Sequence, residues 1–447
     1  MCLSPNCLNL TPCIAVHSGA GKYSHSINAR RQIKKTLSEA CIAGINALST
    51  PTPNPHQNPA TVAVIAAIKS LEDSPCTNAG TGSNLTTKGT VECDASIMEG
   101  TTGAFGSVGS LGAVKNPIVA AGKILVNLMD GGPVSRVLGR VKPVMLVANG
   151  AHEWLKMNCT PEEKEALLVD SDSLVTLESL ERWERIVALL KHESESLQKP
   201  SNDPEETGSE SSEFEDTVGA VALDCCGNIV SGVSSGGILF KFPGRVGEAA
   251  VYGSGVWAQS VSDPLNHLHC PVSQQSRSSE NLGVVRIGVG CSLTGTGEQI
   301  IKTLMARDIG TSLLELGSPD ASTDALNVGK SLEVTLSQQF EQSRFLEGYS
   351  PDLRNLGVLS LRVVVEPPEL ESQTAQFVKR EVWYTHTTDG MGVGWMSRDD
   401  KKPKTVISRK GGVGLVGVGN RKKRRIALQS TTAIDTPRRI LVYGTSI

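Results

Sequence analysis

The feature that most constrains this chain is an abrupt change of composition between Asp216 and Thr217. Residues 193–216 carry nine acidic residues and one lysine, together with Ser, Pro and Gly. Such a segment cannot bury enough apolar surface to offset the entropy of ordering it. From Thr217 the chain continues as TVGAVALD, an apolar, β-branched run that is typical of a buried strand. We therefore predict a disordered acidic segment over 193–216 and a strand directly after it.

A chain can be cut at such a loop–strand boundary without unravelling a core. If the Asp216–Thr217 bond is broken, the Thr217 hydroxyl lies beside a free α-amine, whose unperturbed pKa is about 7.7–8.0. This amine can accept the hydroxyl proton while the oxygen attacks a carbonyl, so that one residue supplies both nucleophile and base. Taken alone, the local sequence favours an ordinary β-branched residue at the start of a strand.

Composition excludes several classes of protein. The 447 residues carry a net charge of −3 and 39% apolar residues, so we expect a real core and no binding of nucleic acid. No apolar run approaches the ~20 residues that span a bilayer, and the first residues do not resemble a signal peptide, so we expect no membrane association. The 11 cysteines lie at no spacing typical of metal ligands. We interpret them as reduced thiols of a cytosolic or nuclear protein without a bound metal.

Apolar periodicity predicts strands and helices that alternate along the chain. The predicted strands are 13–21, 89–100, 217–224, 227–235, 249–255 and 357–366. We also predict a sheet-edge strand at 103–117 and further strand regions in 381–397. Residues 284–309 are predicted to form a strand, a Gly loop and a helix in that order. The predicted helices are 29–48, 60–73, 117–130 and the amphipathic 173–193, and residues 143–157 lead from a strand or loop into a helix. The stripe of helix 173–193 (Leu177, Leu180, Val187 and Leu190, with Trp183 close by) favours a packing face over a partner site. Strands flanked by helices indicate layered sheets, and 260–282 is predicted to be a surface insertion.

Nine segments of the chain resemble the type 2 asparaginase family of N-terminal nucleophile (Ntn) hydrolases. They are VHSGAG, LEDSPCTNAGTGSNL, VECDASIM, DTVGAVALD, VSSGG, PGRVG, YGSGVWA, TGTGE and HTTDGMGVGWMS. They occur in family order from about Val16 to Arg409, with gaps at 193–215 and 260–282, and they are most similar to those of the family's threonine aspartases. The resemblance implies an α+β fold, the αββα four-layer sandwich. It also implies one domain over 1–447, made as an inactive precursor that cleaves itself into an α subunit (1–216) and a β subunit (217–447).

The same resemblance assigns roles to individual residues. It implies that Thr217 is the nucleophile, that Ser235 orients it, and that Asn78 bonds its amine or an oxyanion. The remaining implied residues are Thr294 and Gly295 for the oxyanion hole, and Arg245, Glu248, Gly19 and Gly297 for substrate binding. Without the resemblance, Ser235 is a turn serine and TGTGE is a Gly-rich entry to a helix.

Two hydrolase activities fit these residues, and we predict the first, a threonine endopeptidase, with the second as the alternative. A fixed guanidinium fork such as that of Arg245 recognises a carboxylate with two parallel hydrogen bonds. Asp216 before the nucleophile favours a threonine endopeptidase that cuts proteins after aspartate at Asp-Gly-type sites, with nuclear regulatory proteins as substrates. Glu248, three residues after Arg245, keeps open an isoaspartyl peptidase or L-asparaginase, because asparaginases of the family place Asp there. A third alternative is an inactive interaction protein with the same fold.

Four further expectations follow from the resemblance. No cofactor is expected, although an anion such as chloride could bind near Gly19 and Thr294. The two fragments are expected to form an αβ heterodimer, with a pair of heterodimers as a further option. We expect the protein in nucleus and cytoplasm. The basic run at 421–425 is equally compatible with a nuclear signal and with a solvated face.

Overall fold

A computed structural model describes most of the chain. The described residues are 7–52, 54, 57–130, 139, 141–196, 217–261, 285–316, 324–366, 377–409 and 440–447. Most of the acidic segment, nearly all of the 260–282 insertion and the basic run at 421–425 lie outside them.

Helices and strands alternate through both halves of the described chain. The helices are α1 (Ile27–Leu48), α2 (Pro59–Glu72), α3 (Pro117–Met129), α4 (Ala148–Asn158), α5 (Pro161–Leu167), α6 (Leu177–Ser196), α7 (Gly297–Thr303), α8 (Met305–Glu315) and α9 (Asp324–Thr335). The strands are β1 (Cys13–Gly21), β2 (Cys93–Glu99), β3 (Phe105–Leu111), β4 (Met145–Val147), β5 (Val218–Leu223), β6 (Ile229–Ser235), β7 (Val256–Gln259), β8 (Arg286–Gly295), β9 (Leu356–Glu366), β10 (Phe377–His386), β11 (Gly390–Ser397), β12 (Lys404–Arg409) and β13 (Leu441–Ser446). None of the described helices is both long and apolar enough to cross a membrane.

Two sheets form the inner layers, and helices cover their outer faces. One sheet has eight strands in the order β12-β11-β1-β5-β6-β2-β3-β4, and the other has five in the order β13-β10-β9-β8-β7. Helices α1, α2 and α3 pack on the first sheet, α8 and α9 pack on the second, and β5 and β6 face β8 across the interface between the sheets. This arrangement confirms the predicted αββα sandwich.

Three apolar clusters hold the four layers together. One lies between the eight-stranded sheet and its helices, with Ile14, Leu37 and Ile68 among its members. The second lies between the two sheets, and the third lies between the five-stranded sheet and α8 and α9. Strands β1, β5 and β6 therefore have apolar contacts on both faces, which explains why their sequences read as nearly continuous apolar runs rather than as alternating ones.

Several predicted elements differ from the structure. Residues 103–117 do not form a sheet edge, because β3 pairs with β2 on one side and β4 on the other. The predicted strand at 249–255 is a 3-10 turn over Glu248–Ala250 followed by turns. A strand pattern fails there because the apolar residues of this stretch pack against other elements without pairing. Residues 193–196, predicted to be disordered, continue α6.

The apolar stripe of α6 is only partly a packing face. Leu180 and Trp183 pack against a small cluster around Leu85 and Leu174. In contrast, Leu177 is 71% exposed and Leu190 is 43% exposed. The predicted packing face is therefore wrong at both ends of the stripe, since this small cluster covers only the middle of the helix.

Strand β3 and helix α3 approach each other unusually closely at Gly106. A Cβ atom on Gly106 would lie 2.3 Å from the carbonyl oxygen of Ala121 and 2.4 Å from the backbone nitrogen of Leu125. Both are backbone atoms, so relief requires moving α3 away from the sheet.

We predict that Gly106→Ala lowers the free energy of unfolding by about 1–3 kcal/mol, as expected for overpacking a close contact. Gly150→Ala is the matched control, because Gly150 lies in α4 with open space around it. The control should be neutral or stabilising by up to about 1 kcal/mol, since Ala has the higher helix propensity. Urea unfolding of both variants checks this, and equal stabilities would contradict the proposed close approach.

Candidate active site

The register of one hairpin brings two of the predicted site residues together. Strands β5 and β6 are antiparallel neighbours in which Val218 pairs with Ser234. One residue further out, Thr217 lies opposite Ser235, and their hydroxyl oxygens are 3.0 Å apart. Thr217 is buried in the folded chain, with 3% of its surface exposed. The hydroxyl of Thr217 is therefore held in a defined position at the end of a central strand.

A buried carboxylate also reaches the Thr217 hydroxyl. The Oε1 atom of Glu248 lies 3.1 Å from Thr217 Oγ1. The backbone N–H of Gly237 donates to Ser235 Oγ at 3.0 Å. Thr217 is the donor in both contacts, and because a hydroxyl has a single proton, it donates to either Ser235 or Glu248 at any one time. The Thr217 proton is therefore within reach of a carboxylate acceptor.

The acidity of Glu248 is strongly shifted by its surroundings. Burial raises the pKa of Glu248 from its ordinary value of 4.5 to about 7, against the opposing effect of the Arg245 charge and of the hydrogen bond from Thr217. A carboxylate with a pKa near neutrality can accept and return a proton under physiological conditions. Glu248 thus has both the geometry and the acidity of a general base.

The carboxylate-binding fork of Arg245 is engaged by another residue of the chain. Its Nε and Nη2 atoms donate to the two carboxylate oxygens of Glu298 at 2.9 and 2.8 Å. Burial alone would lower the pKa of Arg245, but this ion pair and the Glu248 and Asp94 charges outweigh it and raise the pKa. Burial would likewise raise the pKa of Glu298, yet its bond to Arg245 lowers it. Glu298 therefore occupies both arms of the guanidinium fork of Arg245.

Asp94 and Gly297 fix the loop that carries Arg245 and Glu248. Asp94 accepts hydrogen bonds from the backbone N–H groups of Gly247 and Ser110, both at 2.7 Å. A Cβ atom on Gly297 would lie 2.5 Å from Glu248 Oε2 and 2.7 Å from Arg245 Nη2. Position 297 therefore needs glycine, because any side chain would displace the two charged groups.

A small cavity collects most of the predicted site residues. Its volume is about 10 Å³, which is roughly the space of one water molecule. Seven predicted residues line it: Thr217, Ser235, Asn78, Arg245, Glu248, Gly295 and Gly297. A second cavity of about 510 Å³ also reaches Asn78 and extends between α1 and α6. Asp216, the predicted cleavage residue, lies outside the described residues.

Three predicted site residues are placed differently from their expected contacts. Asn78 donates through Nδ2 to the carbonyl of Gly237 at 2.9 Å, so its amide holds the loop after β6 rather than Thr217. Thr294 is fully buried, and its hydroxyl accepts from the backbone N–H of Ala20 at 3.2 Å. Gly19 lies where the register of β1 against β11 shifts, and its carbonyl accepts from Tyr23 at 2.8 Å. Gly19 and Thr294 both lie outside the cavity lining, so the proposed anion site near them remains a prediction.

Sequence reasoning missed several residues that shape the site. Glu298 is one of them, although it is the last residue of TGTGE. The sequence signal that could have identified it is a single acidic residue next to a Gly-rich turn. His17 lies in β1 opposite Gly219 of β5, and its Nε2 is 2.8 Å from Ser292 Oγ. Burial lowers the pKa of His17 to about 3, so its imidazole is neutral at physiological pH. A Cβ atom on Gly219 would meet both of these side chains, which explains the glycine two residues after Thr217.

Comparison with known proteins places this chain in a family. A family model described as "Asparaginase" matches residues 10–262, more than half of the chain. The chain belongs to the type 2 asparaginase family. Members of this Ntn-hydrolase family are enzymes that use an N-terminal nucleophile, and the two-sheet sandwich of the present chain is the family fold.

Individual members of the family cover most of the chain. An isoaspartyl peptidase/L-asparaginase from Xenopus laevis is 32% identical over 323 residues, which are 72% of this chain and 82% of the relative. A plant-type L-asparaginase from Pyrococcus horikoshii is 33% identical, covering 68% of this chain and 80% of the relative. An isoaspartyl peptidase from Escherichia coli is 29% identical, covering 68% and 77%. This type 2 family member is thus similar to asparaginases and isoaspartyl peptidases.

The raised pKa of Glu248 predicts a pH-dependent stability. Between about pH 4.5 and 7 the folded state holds a proton that the unfolded state has lost, so the free energy of unfolding falls as pH rises. The shift corresponds to about 3 kcal/mol. We expect Glu248→Gln to remove this pH-dependent loss of stability. From pH 4.5 to 8, the free energy of unfolding of the variant should therefore rise by about 3 kcal/mol relative to that of the unsubstituted protein.

Glu298→Gln is the control for this experiment, because the pKa of Glu298 is shifted in the opposite direction. The benefit of Glu298 is present above its unfolded pKa and is lost as pH falls, so the variant should lose stability relative to the unsubstituted protein as pH rises. Urea unfolding of the three proteins across this pH range measures both trends. The same slope for both variants would show that Glu248 titrates normally.

Proposed function

We propose that this protein is a self-activating threonine hydrolase that cleaves β-aspartyl amide bonds, as an isoaspartyl peptidase or L-asparaginase does. The observation that carries the proposal is that Arg245 and Glu248 line the same cavity as Thr217. A β-aspartyl substrate has an α-carboxylate and an α-ammonium group on one carbon. A guanidinium and a carboxylate beside the nucleophile are complementary to that pair of charges. The names of the family members described above support the same substrate class.

Binding of the substrate requires a rearrangement at Arg245. Glu298 occupies both arms of the guanidinium fork, and its side chain is 41% exposed. A substrate carboxylate can therefore replace it while Glu298 turns towards solvent. The substrate amide carbon would then lie near Thr217 Oγ1, and Gly295 at the cavity wall could donate its backbone N–H to the developing oxyanion.

A second candidate is an endopeptidase that cuts proteins after aspartate, in the manner of threonine aspartases. Two observations favour it. The residue before the nucleophile is Asp216, so the chain's own cleavage site would be an aspartyl bond. The 510 Å³ cavity that reaches Asn78 could accommodate several residues of an extended peptide. For this candidate Glu248 is unfavourable, because its negative charge repels the side chain of an aspartate.

We predict that Glu248→Gln separates the two candidates. Loss of the carboxylate removes the partner of the substrate ammonium, so kcat/KM for a β-aspartyl dipeptide should fall about 100-fold, a change of about 2.7 kcal/mol. Cleavage of an Asp-Gly peptide should be unchanged or faster, because a repulsive charge is removed. Mass spectrometry of an equimolar mixture of both peptides, normalised to the amount of cleaved enzyme, measures both rates.

Arg245→Lys completes the comparison, since it should weaken both activities by at least about tenfold through loss of the two-armed hydrogen bond. Arg307→Lys, on the exposed side of α8, is its matched control. If only the Asp-Gly peptide is cut by the unsubstituted protein, the endopeptidase candidate replaces the first. If neither peptide is cut and the chain stays whole, the interaction-protein alternative gains support.

Self-activation requires a proton acceptor other than the α-amine. Before cleavage the nitrogen of Thr217 is an amide and cannot act as a base. We infer that Glu248 accepts the Oγ1 proton while Oγ1 attacks the carbonyl carbon of Asp216. The C–N bond then breaks, the departing Thr217 nitrogen takes the proton from Glu248, and an ester joins Asp216 to Thr217 Oγ1. Water hydrolyses this ester and leaves the Asp216 carboxylate and a free N-terminal threonine.

The self-cleavage step predicts two distinct phenotypes. Thr217→Ala should leave the 447-residue chain whole, because no nucleophile remains. Glu248→Gln should slow cleavage about 10²- to 10⁴-fold, as removal of a general base does. Glu92→Gln is the control, because Glu92 bonds Ser110 and Gly244 in the same region. Electrophoresis during refolding measures the rate, which in the unsubstituted chain should rise as pH passes about 7. Cleavage of Glu248→Gln at the normal rate would exclude Glu248 as the acceptor.

A further inference from the structure

Three cysteines from distant parts of the chain meet at the opposite end of the β5–β6 hairpin from Thr217. Cys225 and Cys226 lie in the turn between the two strands, and Cys7 lies in the segment before β1. The sulfur atoms of all three lie within 4.8 Å of one another. None of them takes part in a disulfide, and all three are partly buried. Strand β5 separates this cluster from Thr217 by about 20 Å, given ~3.3 Å per residue.

The turn that carries two of the sulfurs is held rigidly. The carboxylate of Asp224 accepts hydrogen bonds from the backbone N–H groups of Cys226 and Asn228 at 2.9 and 3.0 Å. It also accepts one from the Asn228 side chain at 2.7 Å. Gly227 has a φ of 90°, which completes the tight turn. Cys225 and Cys226 therefore project from a backbone that is fixed before any ligand binds.

The third sulfur is brought to this turn by the N-terminal segment. The backbone N–H of Leu10 donates to the carbonyl of Cys225 at 3.0 Å. The Cys7 thiol donates to the same carbonyl at 3.4 Å. These two contacts bring Cys7 beside the hairpin although it is more than 200 residues away in sequence. The cluster is thus assembled by tertiary contacts and has no recognisable sequence motif.

The distances suit a thiophilic metal ion. Sulfurs that share a tetrahedral Zn²⁺ with Zn–S bonds of about 2.3 Å lie roughly 3.8 Å apart. Three thiolates around Cu⁺ have a similar separation, and soft sulfur ligands select these two ions. From the observed limit of 4.8 Å, closure to this spacing needs shifts of about 1 Å. Partial burial leaves one side open, so a water molecule can complete a tetrahedron around Zn²⁺.

We propose that Cys7, Cys225 and Cys226 form a binding site for a thiophilic d¹⁰ metal ion, Zn²⁺ or Cu⁺. On binding, the three thiols release their protons to solvent, and the three thiolate sulfurs bond the ion, so affinity rises with pH. The ion would fasten the segment before β1 to the β5–β6 turn. Because this site is far from Thr217, its role is structural and does not depend on the proposed reaction.

Titration of the reduced, metal-free, full-length protein with Co²⁺ tests the site. Co²⁺ bound to thiolates gives a sulfur-to-cobalt charge-transfer band, and Zn²⁺ should displace it with a stoichiometry of one. Cys7→Ser and Cys226→Ser should each abolish the band and weaken Zn²⁺ binding by at least about tenfold. Cys76→Ser is the matched control, since Cys76 is also partly buried but lies elsewhere. Competition against a Cu⁺ chelator shows whether Cu⁺ binds more tightly than Zn²⁺.

Thermal unfolding separates loss of the site from loss of the fold. The metal-free Cys7→Ser variant should melt near the metal-free parent, and only the parent should gain stability when Zn²⁺ is added. Unchanged affinity for both metals in Cys7→Ser and Cys226→Ser would overturn the proposal. Failure of the reduced protein to bind either ion would also overturn it. The same conclusion holds if, in addition, two of the three cysteines are found as a disulfide in protein purified without reductant.

Discussion

The antiparallel register of β5 against β6 is the constraint on which the site depends. It places Thr217 opposite Ser235 at one end of the hairpin and holds their hydroxyl oxygens 3.0 Å apart. The hairpin lies in the middle of the eight-stranded sheet, with apolar contacts on both faces, so a slip of register would move buried side chains to the wrong face. The packing of the core therefore determines the geometry of the Thr217 hydroxyl.

The charged groups around Thr217 form a second level of organisation. Arg245 faces Glu298 on one side and Glu248 on the other, and Asp94 holds the loop between them through the backbone of Gly247. Burial of Glu248 makes its pKa suitable for proton transfer, while the bond to Arg245 keeps Glu298 ionised. In the function proposed above, this one desolvated group of charges serves both to bind a zwitterionic aspartyl compound and to assist cleavage of the chain's own peptide bond.

Strongly periodic and apolar segments were predictable from the sequence. The boundaries of α1, α2 and α3 lie within two residues of the predicted ones, and the long apolar strands β1, β5, β6 and β9 were recognised from their composition. Prediction failed where tertiary contacts override local pattern. The stretch 249–255 begins with two buried alanines but forms turns and not a strand, and the stripe of α6 is covered only near Leu180 and Trp183. Gly19 and Thr294 lie outside the cavity lining, and their hydrogen bonds to Tyr23 and Ala20 were not evident from the sequence.

Short motifs in a fixed order identify the family. The sequence alone therefore indicated the residues of the Thr217 segment, the arginine loop and the Gly-rich turn as site candidates. Which groups contact each other depended on folding. The pairing of Arg245 with Glu298 and the bond from Thr217 to Glu248 join separate elements. Sequence spacing argued against a metal site, yet folding places Cys7 beside Cys225 and Cys226. The local sequence determines the periodicity of apolar residues and the residues that form turns, because both depend on near neighbours in the chain. Distances between residues far apart in the chain, and the pKa values that follow from burial, arise only when the layers pack together.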